Sequence, residues 1–160
     1  MLISKLFETE TSHIVREAVS ERCKNNIHGH SYLWKVFIET SACQSNGMVL
    51  DFKELKPVKD FIDLFDHTTV FWAKEDTKII NFFKDNFDRI LIMQKNPTAE
   101  NMARLVCKFT NDWLLSIPNA NYQVYTCTRV EVNETRTGCG ISSGDYDVED
   151  ILTYTYSNLY

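Results

Sequence analysis

The sequence predicts an α+β fold: an antiparallel sheet with a pair of helices on one face. Residues 31–40 alternate side chains with the period of two that a strand needs, whereas later segments place apolar residues at steps of three and four, as a helix does. Strands also follow one another across short polar turns, which favours antiparallel pairing over strict strand-helix alternation. With 160 residues, 44% of them hydrophobic, the chain can build one core, and three prolines and five glycines mark no linker. Residues 1–160 therefore read as a single domain.

Taken in order, residues 2–10 read as a first strand. In 31–40 (SYLWKVFIET), Tyr32, Trp34, Val36 and Ile38 alternate with Leu33, Lys35, Phe37 and Glu39, a strand with both faces partly apolar. The polar QSNG at 44–47 is a turn, and MVLDF after it is expected to return as a short strand of a hairpin. From Lys53, the set Leu55, Val58, Ile62 and Phe65 predicts a helix ending near Asp66-His67, with Pro57 tolerated in its first turn. A weaker helix is expected over 76–86 and a buried strand over 89–93. Asn96 then offers a cap with Pro97 at the first helical position, and the stripe Met102, Leu105, Val106, Phe109, Trp113 carries that helix to about 115. Residues 122–132, β-branched and aromatic, form a last strand ending at Asn133-Glu134.

A net charge of −5, with no two Lys or Arg residues adjacent, excludes an electrostatic nucleic-acid footprint. The first residues, MLISKLFETETSH, reach charge too soon for a signal peptide, and no apolar run approaches a membrane span, so a soluble cytoplasmic protein is expected. Five cysteines form an odd number without a CxxC pair, which favours free thiols. Cys107 and Cys127 lie in apolar periodic segments and read as small core residues. Cys23 is expected in a polar loop and has no such packing role.

Four histidines are present, two of them in His28-Gly29-His30. In an extended strand, residues i and i+2 face the same side about 6.5–7 Å apart, so the two imidazoles can converge on one ion. A third ligand is needed, and His13, at the end of the first strand, is a cheaper choice than His67 beyond the first helix. Three histidines leave an open position, as in a catalytic zinc site. Two blander readings stand beside this one. The histidines are ordinary surface or core residues, or Cys23 closes a structural zinc site as fourth ligand.

The blocks SH (12–13), Cys23 followed by HGHSY (28–32), GMVLDFKELK (47–56), FDH (65–67), NPTAEN (96–101) and NET (133–135) resemble the 6-pyruvoyltetrahydropterin synthase family. They keep the family order from 12 to 135, and they are most like its bacterial branch, 6-carboxy-5,6,7,8-tetrahydropterin synthase of queuosine biosynthesis. Residues 145–160 fall outside the resemblance. It implies the tunnelling fold (T-fold) and a ring-shaped homo-oligomer, a hexamer among the options, with active sites between subunits.

The resemblance also implies site roles. His13, His28 and His30 would bind Zn2+, Cys23 would be the catalytic base, and Asp66 and His67 a catalytic pair. Glu134 would anchor the pterin, and Thr98 and Glu100 fall in the pterin-pocket segment. The implied reaction is lyase chemistry on 7,8-dihydroneopterin triphosphate. The product is 6-carboxytetrahydropterin or, with loss of triphosphate, 6-pyruvoyltetrahydropterin; a catalytically weak zinc- or pterin-binding relative is the third option. Departures bear on this choice of branch. The four residues between Cys23 and His28 match neither branch's spacing, Val70-Phe71 replaces the family's usual Leu-Asn, and Thr9 stands where an aromatic is usual.

Overall fold

The computed structural model describes residues 1–117 and 124–143. Its strands are β1 (Leu2–His13), β2 (His28–Thr40), β3 (Thr68–Trp72), β4 (Ile90–Met93), β5 (Tyr125–Asn133) and β6 (Cys139–Ser142). Its helices are α1 (Glu21–Asn25), α2 (Lys56–Ile62), α3 (Thr77–Asn86) and α4 (Ala99–Ser116). One sheet in the order β4-β3-β1-β2-β5-β6 organises them. The α+β expectation holds, but the sheet is mixed: β1 pairs antiparallel with β2, β2 with β5 and β5 with β6, whereas β3 runs parallel to both β1 and β4.

The alternation of β1 and β2 defines the core face. Phe7, Thr9, Thr11 and His13 on β1 are buried on the same side as Tyr32, Trp34, Val36 and Ile38 on β2, because directly paired residues share a face. Helices α2 and α4 cover this face, joined by stacked Phe61 and Phe109 rings 3.9 Å apart. The expected stripe on α4 is present, with Met102, Leu105 and Val106 buried and Phe109 and Trp113 packed against the core. Cys107 and Cys127 are buried in it as expected.

The helices do not all lie on one face. Val70, Leu91 and Met93 join the main core, while their strand neighbours Phe71, Ile90 and Ile92 point the other way and pack with Ile80 and Phe83 of α3. The expected helix pair on one face is α2 and α4, and α3 adds a second small core on the other. No helix among the described residues is long and apolar enough to cross a membrane.

Local differences from the sequence reading have physical causes. Residues 48–52 form no hairpin strand but bends and turns, with Val49 and Leu50 buried in the core. Helix α2 starts only at Lys56, after turns in which Asp51 Oδ1 accepts from Lys53 N. Beyond Ile62 the chain tightens into i to i+3 bonds, Leu64 N to Phe61 O and Phe65 N to Ile62 O, and turns into β3. Thr98, not Asn96, caps α4, its Oγ1 accepting from Asn101 N at 3.3 Å, while the Asn96 side chain turns to Arg16 O. The expected strand 122–132 begins at Tyr125, its first two residues lying outside the described ones, as does the 145–160 tail.

A buried polar chain crosses the core. Trp34 Nε1 donates to Thr9 Oγ1 at 2.9 Å, the Thr9 and Thr11 hydroxyls meet at 2.9 Å, and Thr11 Oγ1 donates to Phe65 O at 2.8 Å. Thr9, the departure from the family's aromatic, is thus the acceptor that lets an indole N–H be buried.

Candidate metal centre and active site

The last pairs of the β1–β2 ladder place the histidines. His13 is directly opposite His28, and His30, two residues along, lies on the same face. Their ligand nitrogens all fall within 4.8 Å of one another. Gly29 between them points to the other face, where an added Cβ would stand 3.2 Å from Thr11 O, a close approach of the paired strand.

The protons decide what this cluster can bind. His13 Nδ1 donates to Pro97 O at 2.7 Å and His28 Nδ1 to Asn26 O at 3.1 Å, since a carbonyl only accepts. Both rings therefore turn a bare Nε2 inward, and the two Nε2 atoms are 3.1 Å apart. His30 Nε2 is buried without a hydrogen-bond partner. Glu134 Oε1 stands 3.3 Å from His13 Nε2 and 3.7 Å from His30 Nε2. Tyr32 lies close to the His13 ring, but it has one proton, and its shortest contact is the 3.0 Å bond to Glu134 Oε1. Two bare imidazole nitrogens, a third imidazole nitrogen without a partner and a carboxylate thus converge, a set whose complement is a cation.

Burial keeps the imidazoles neutral. His13, with no exposed surface, has its pKa pulled down to about 4 by desolvation, partly opposed by the Pro97 hydrogen bond and by Glu134. Desolvation lowers His30 as well, against Glu134. Burial first, then Glu134, raises Tyr32, so its hydroxyl stays protonated and keeps donating. Neutral imidazole is the form a metal takes.

Of the other expected site residues, some come close and others do not. The N-terminus of α4 reaches the centre through Pro97 O, and Thr98 and Glu100 follow directly, Glu100 exposed in the first turn. Cys23 lies on α1, not in a loop, and outside the three-nitrogen set, so the described residues form no closed His3Cys site. Its tie to the centre is through the backbone: Val15 N donates to Cys23 O at 3.1 Å.

Asp66 and His67 are brought together but apart from the histidines. Asp66 Oδ1 accepts from Glu10 N at 2.8 Å, His67 N donates to Glu10 O at 2.7 Å, and Asp66 Oδ2 is 3.8 Å from His67 Nε2. His67 is 77% exposed, held at φ 50° in the turn before β3. It lines a cleft of about 350 Å³ that takes in His30 but is formed largely by Glu10, Ser12, Gly29 and Ser31, which alternate with the metal-facing histidines. His67 therefore stands with the residues of the opposite face of the sheet.

Sequence reasoning missed Tyr32 as a site residue. The signal was present, because Tyr32 continues the same-face series His28, His30. It also missed Arg16 and Glu75, whose partnership joins residues 59 apart.

A family profile described as 6-pyruvoyl tetrahydropterin synthase matches residues 2–144. The chain is 34% identical over 140 residues to a protein of Helicobacter pylori (strain J99) named 6-carboxy-5,6,7,8-tetrahydropterin synthase, over 86% of this chain and 70% of that one. A Rickettsia typhi protein of the same name is 37% identical over 81 residues, 48% of this chain and 57% of that one. Among solved structures, uncharacterized protein WS1659 from Wolinella succinogenes has a TM-score of 0.76 at 18% identity, over 91% of this chain and 98% of that one. The 6-pyruvoyl tetrahydropterin synthase of Caenorhabditis elegans has a TM-score of 0.61 at 22% identity, over 91% and 96%. These two share the fold. By the profile match over most of its length and by the Helicobacter relative, the chain belongs to the 6-pyruvoyl tetrahydropterin synthase family.

Proposed function

We propose that the chain is a zinc-dependent lyase that acts in the cytoplasm on 7,8-dihydroneopterin triphosphate and releases 6-carboxy-5,6,7,8-tetrahydropterin, a step of queuosine (7-deazaguanine) biosynthesis. The observation that carries the reading is the convergence of three imidazoles, two of them turning a bare Nε2 inward and the third a buried Nε2 without a hydrogen-bond partner, beside a carboxylate. The names of the Helicobacter and Rickettsia relatives support the choice of product.

His13, His28 and His30 suit zinc, since imidazole is one of its ordinary ligands and three protein ligands leave a position for substrate. Bound there, the ion would supply Lewis acidity to the oxygens of the substrate side chain. The chain's own groups do the rest. The Pro97 and Asn26 carbonyls hold the His13 and His28 rings in the ligating tautomer. Tyr32 fixes one oxygen of Glu134, whose carboxylate accepts from the pterin's 2-amino and N3 hydrogens. Thr98 and Glu100, at the α4 N-terminus, line the pterin side.

Cys23 takes the proton from the side-chain carbon as general base. His67 moves the second proton, oriented by Asp66. Because His67 stands with the residues of the far face of the sheet, the pair serves the centre of a neighbouring copy in a ring-shaped homo-oligomer, a hexamer by family resemblance. The four-residue spacing from Cys23 to His28 matches neither branch and so admits a second reading, release of 6-pyruvoyltetrahydropterin with loss of triphosphate and of no carbon. Incubating zinc-loaded protein with dihydroneopterin triphosphate and weighing the product separates the two. The carboxy product is expected; a folded, zinc-loaded oligomer that forms neither product is a binding protein and sinks the enzyme reading.

A further inference from the structure

Helix α1, which carries Cys23, has little to hold it in place. It spans five residues, none of them buried, and Ser20 at its N-cap makes no side-chain cap bond. Its position depends on two hydrogen bonds from the chain that continues β1. Val15 N donates to Cys23 O at 3.1 Å, and Arg16 Nη1 donates to Lys24 O at 2.9 Å, meeting carbonyls that a helix end leaves without internal partners.

Arg16 is itself fixed. Its Nε donates to Glu75 Oε2 at 2.7 Å and its Nη2 to Glu75 Oε1 at 2.8 Å, a two-point grip on a carboxylate only 4% exposed. Glu75 Oε1 also accepts from Asp76 N at 2.9 Å, which ties the carboxylate to the start of α3. The Arg16 hydrogen bond draws Glu75 below the usual carboxylate range, and Glu75 raises the guanidinium in turn. The Arg16 carbonyl accepts from the Asn96 side chain, and the next residue, Pro97, supplies the carbonyl that orients His13. One loop thus steadies both a metal-facing ring and the arginine that reaches the thiol's helix.

We propose that Arg16 and Glu75 are positioning residues for Cys23: the guanidinium, gripped by the carboxylate, holds the last turn of α1 and so sets where the thiol stands relative to the histidine centre. The assignment rests on Cys23 being the base of the reaction proposed above. It also answers a difficulty of this chain, whose Cys23-to-His28 spacing matches neither branch. A tether outside that segment fixes the thiol whatever the length of the segment.

A bare structural tie between β1 and the start of α3 is the competing account, and Arg16→Lys separates the two. Lysine keeps a positive charge opposite Glu75, but its compact head cannot span both Glu75 and Lys24 O. Zinc content, melting temperature, kcat and KM are measured on Arg16→Lys and Glu75→Gln, together with iodoacetamide labelling of each cysteine followed by peptide mapping. Positioning predicts zinc at the parent level and a Cys23 labelling rate shifted several-fold, with Cys43 and Cys139 labelled as in the parent. It also predicts kcat lower by about 10–100-fold at nearly constant KM, the scale of a misplaced reacting group. Unchanged Cys23 labelling in both folded, zinc-loaded variants overturns the proposal, as does a uniform rise at all three cysteines. Labelling needs no pterin, so a parent protein without turnover would refute the lyase reading while the labelling still decides the positioning.

Discussion

Removing the metal should expose a pH dependence built into His13. In the folded chain its pKa lies at about 4 because burial disfavours the charged ring, against about 6.5 in the unfolded chain. Between those values the unfolded state binds more protons than the folded one, so stability is full above pH 6.5 and falls as pH drops toward 4. The gap corresponds to about 3 kcal/mol, a large part of the roughly 5–15 kcal/mol that holds a domain folded. His30, also lowered by burial, adds to the loss in the same direction. Glu75, held below its usual value, contributes stability that is present above its ordinary range near 4.5 and is lost as pH falls through its lower folded value, so its window lies beneath that of His13. Urea unfolding of the EDTA-treated parent and of His13→Asn, at steps from pH 7.5 to 4.5, is the assay. The parent should lose stability more steeply than the variant, the difference approaching about 2–3 kcal/mol at the acid end. Parallel curves would refute the reasoning, because they would mean that the His13 ring titrates as it does in water.

Cys23→Ala should leave zinc content and oligomer intact while turnover falls by about 10²–10⁴-fold, as for loss of a general base; zinc lost in step with activity would instead make the thiol a ligand. Glu134→Gln puts an amide where a carboxylate accepts from Tyr32 and from the pterin, so kcat/KM should fall by roughly 2–4 kcal/mol in transition-state terms. An unchanged kcat/KM would place the pterin elsewhere. Thr9→Val keeps the side chain's shape but leaves the buried Trp34 N–H without its acceptor, so stability should fall by about 1–3 kcal/mol and the melting temperature by about 3–9 °C. A melting curve that does not move would show that the indole finds another partner.

Much of the fold was legible because burial imposes periodicity. The β2 alternation and the α4 stripe are direct records of which face meets the core, and both were read correctly. What escaped had no such record. Strand β3 is buried on both faces, so TTVFW shows neither period two nor the 3.6-residue period. Helix α1 buries nothing and therefore carries no stripe. The parallel pairing of β3 with β1 and β4 is set by how α2 and α3 cross between the strands, which local patterns do not encode. In 48–52 the pattern misled, because an apolar run after a turn looks like a returning strand even where the backbone bends and pairs with no neighbour strand.

The site divides along the same line. His28 and His30 share a strand, so their convergence follows from backbone geometry alone, and the antiparallel pairing with β1 brings His13 opposite His28 with no further assumption. Glu134 arrives because β5 pairs with β2, which puts Asn133 opposite Leu33 and the next residue at the end of the ladder, beside the Tyr32 hydroxyl. Asp66 and His67 are different. They are adjacent in sequence and share the Glu10 backbone as anchor, yet alternation along β1 and β2 puts Glu10, Ser12 and Ser31, which line a cleft with His67, on the face opposite the metal-facing histidines. Within one chain no side-chain rotation carries an imidazole through a hydrogen-bonded sheet. If His67 acts at a histidine centre, that centre belongs to another copy. Mixing His67→Ala protein with Cys23→Ala protein should then restore part of the turnover that each lacks alone, because some mixed interfaces pair an intact thiol with an intact imidazole. Failure to complement, in oligomers shown to exchange subunits, would mean that the pair and the metal centre do not share a reaction.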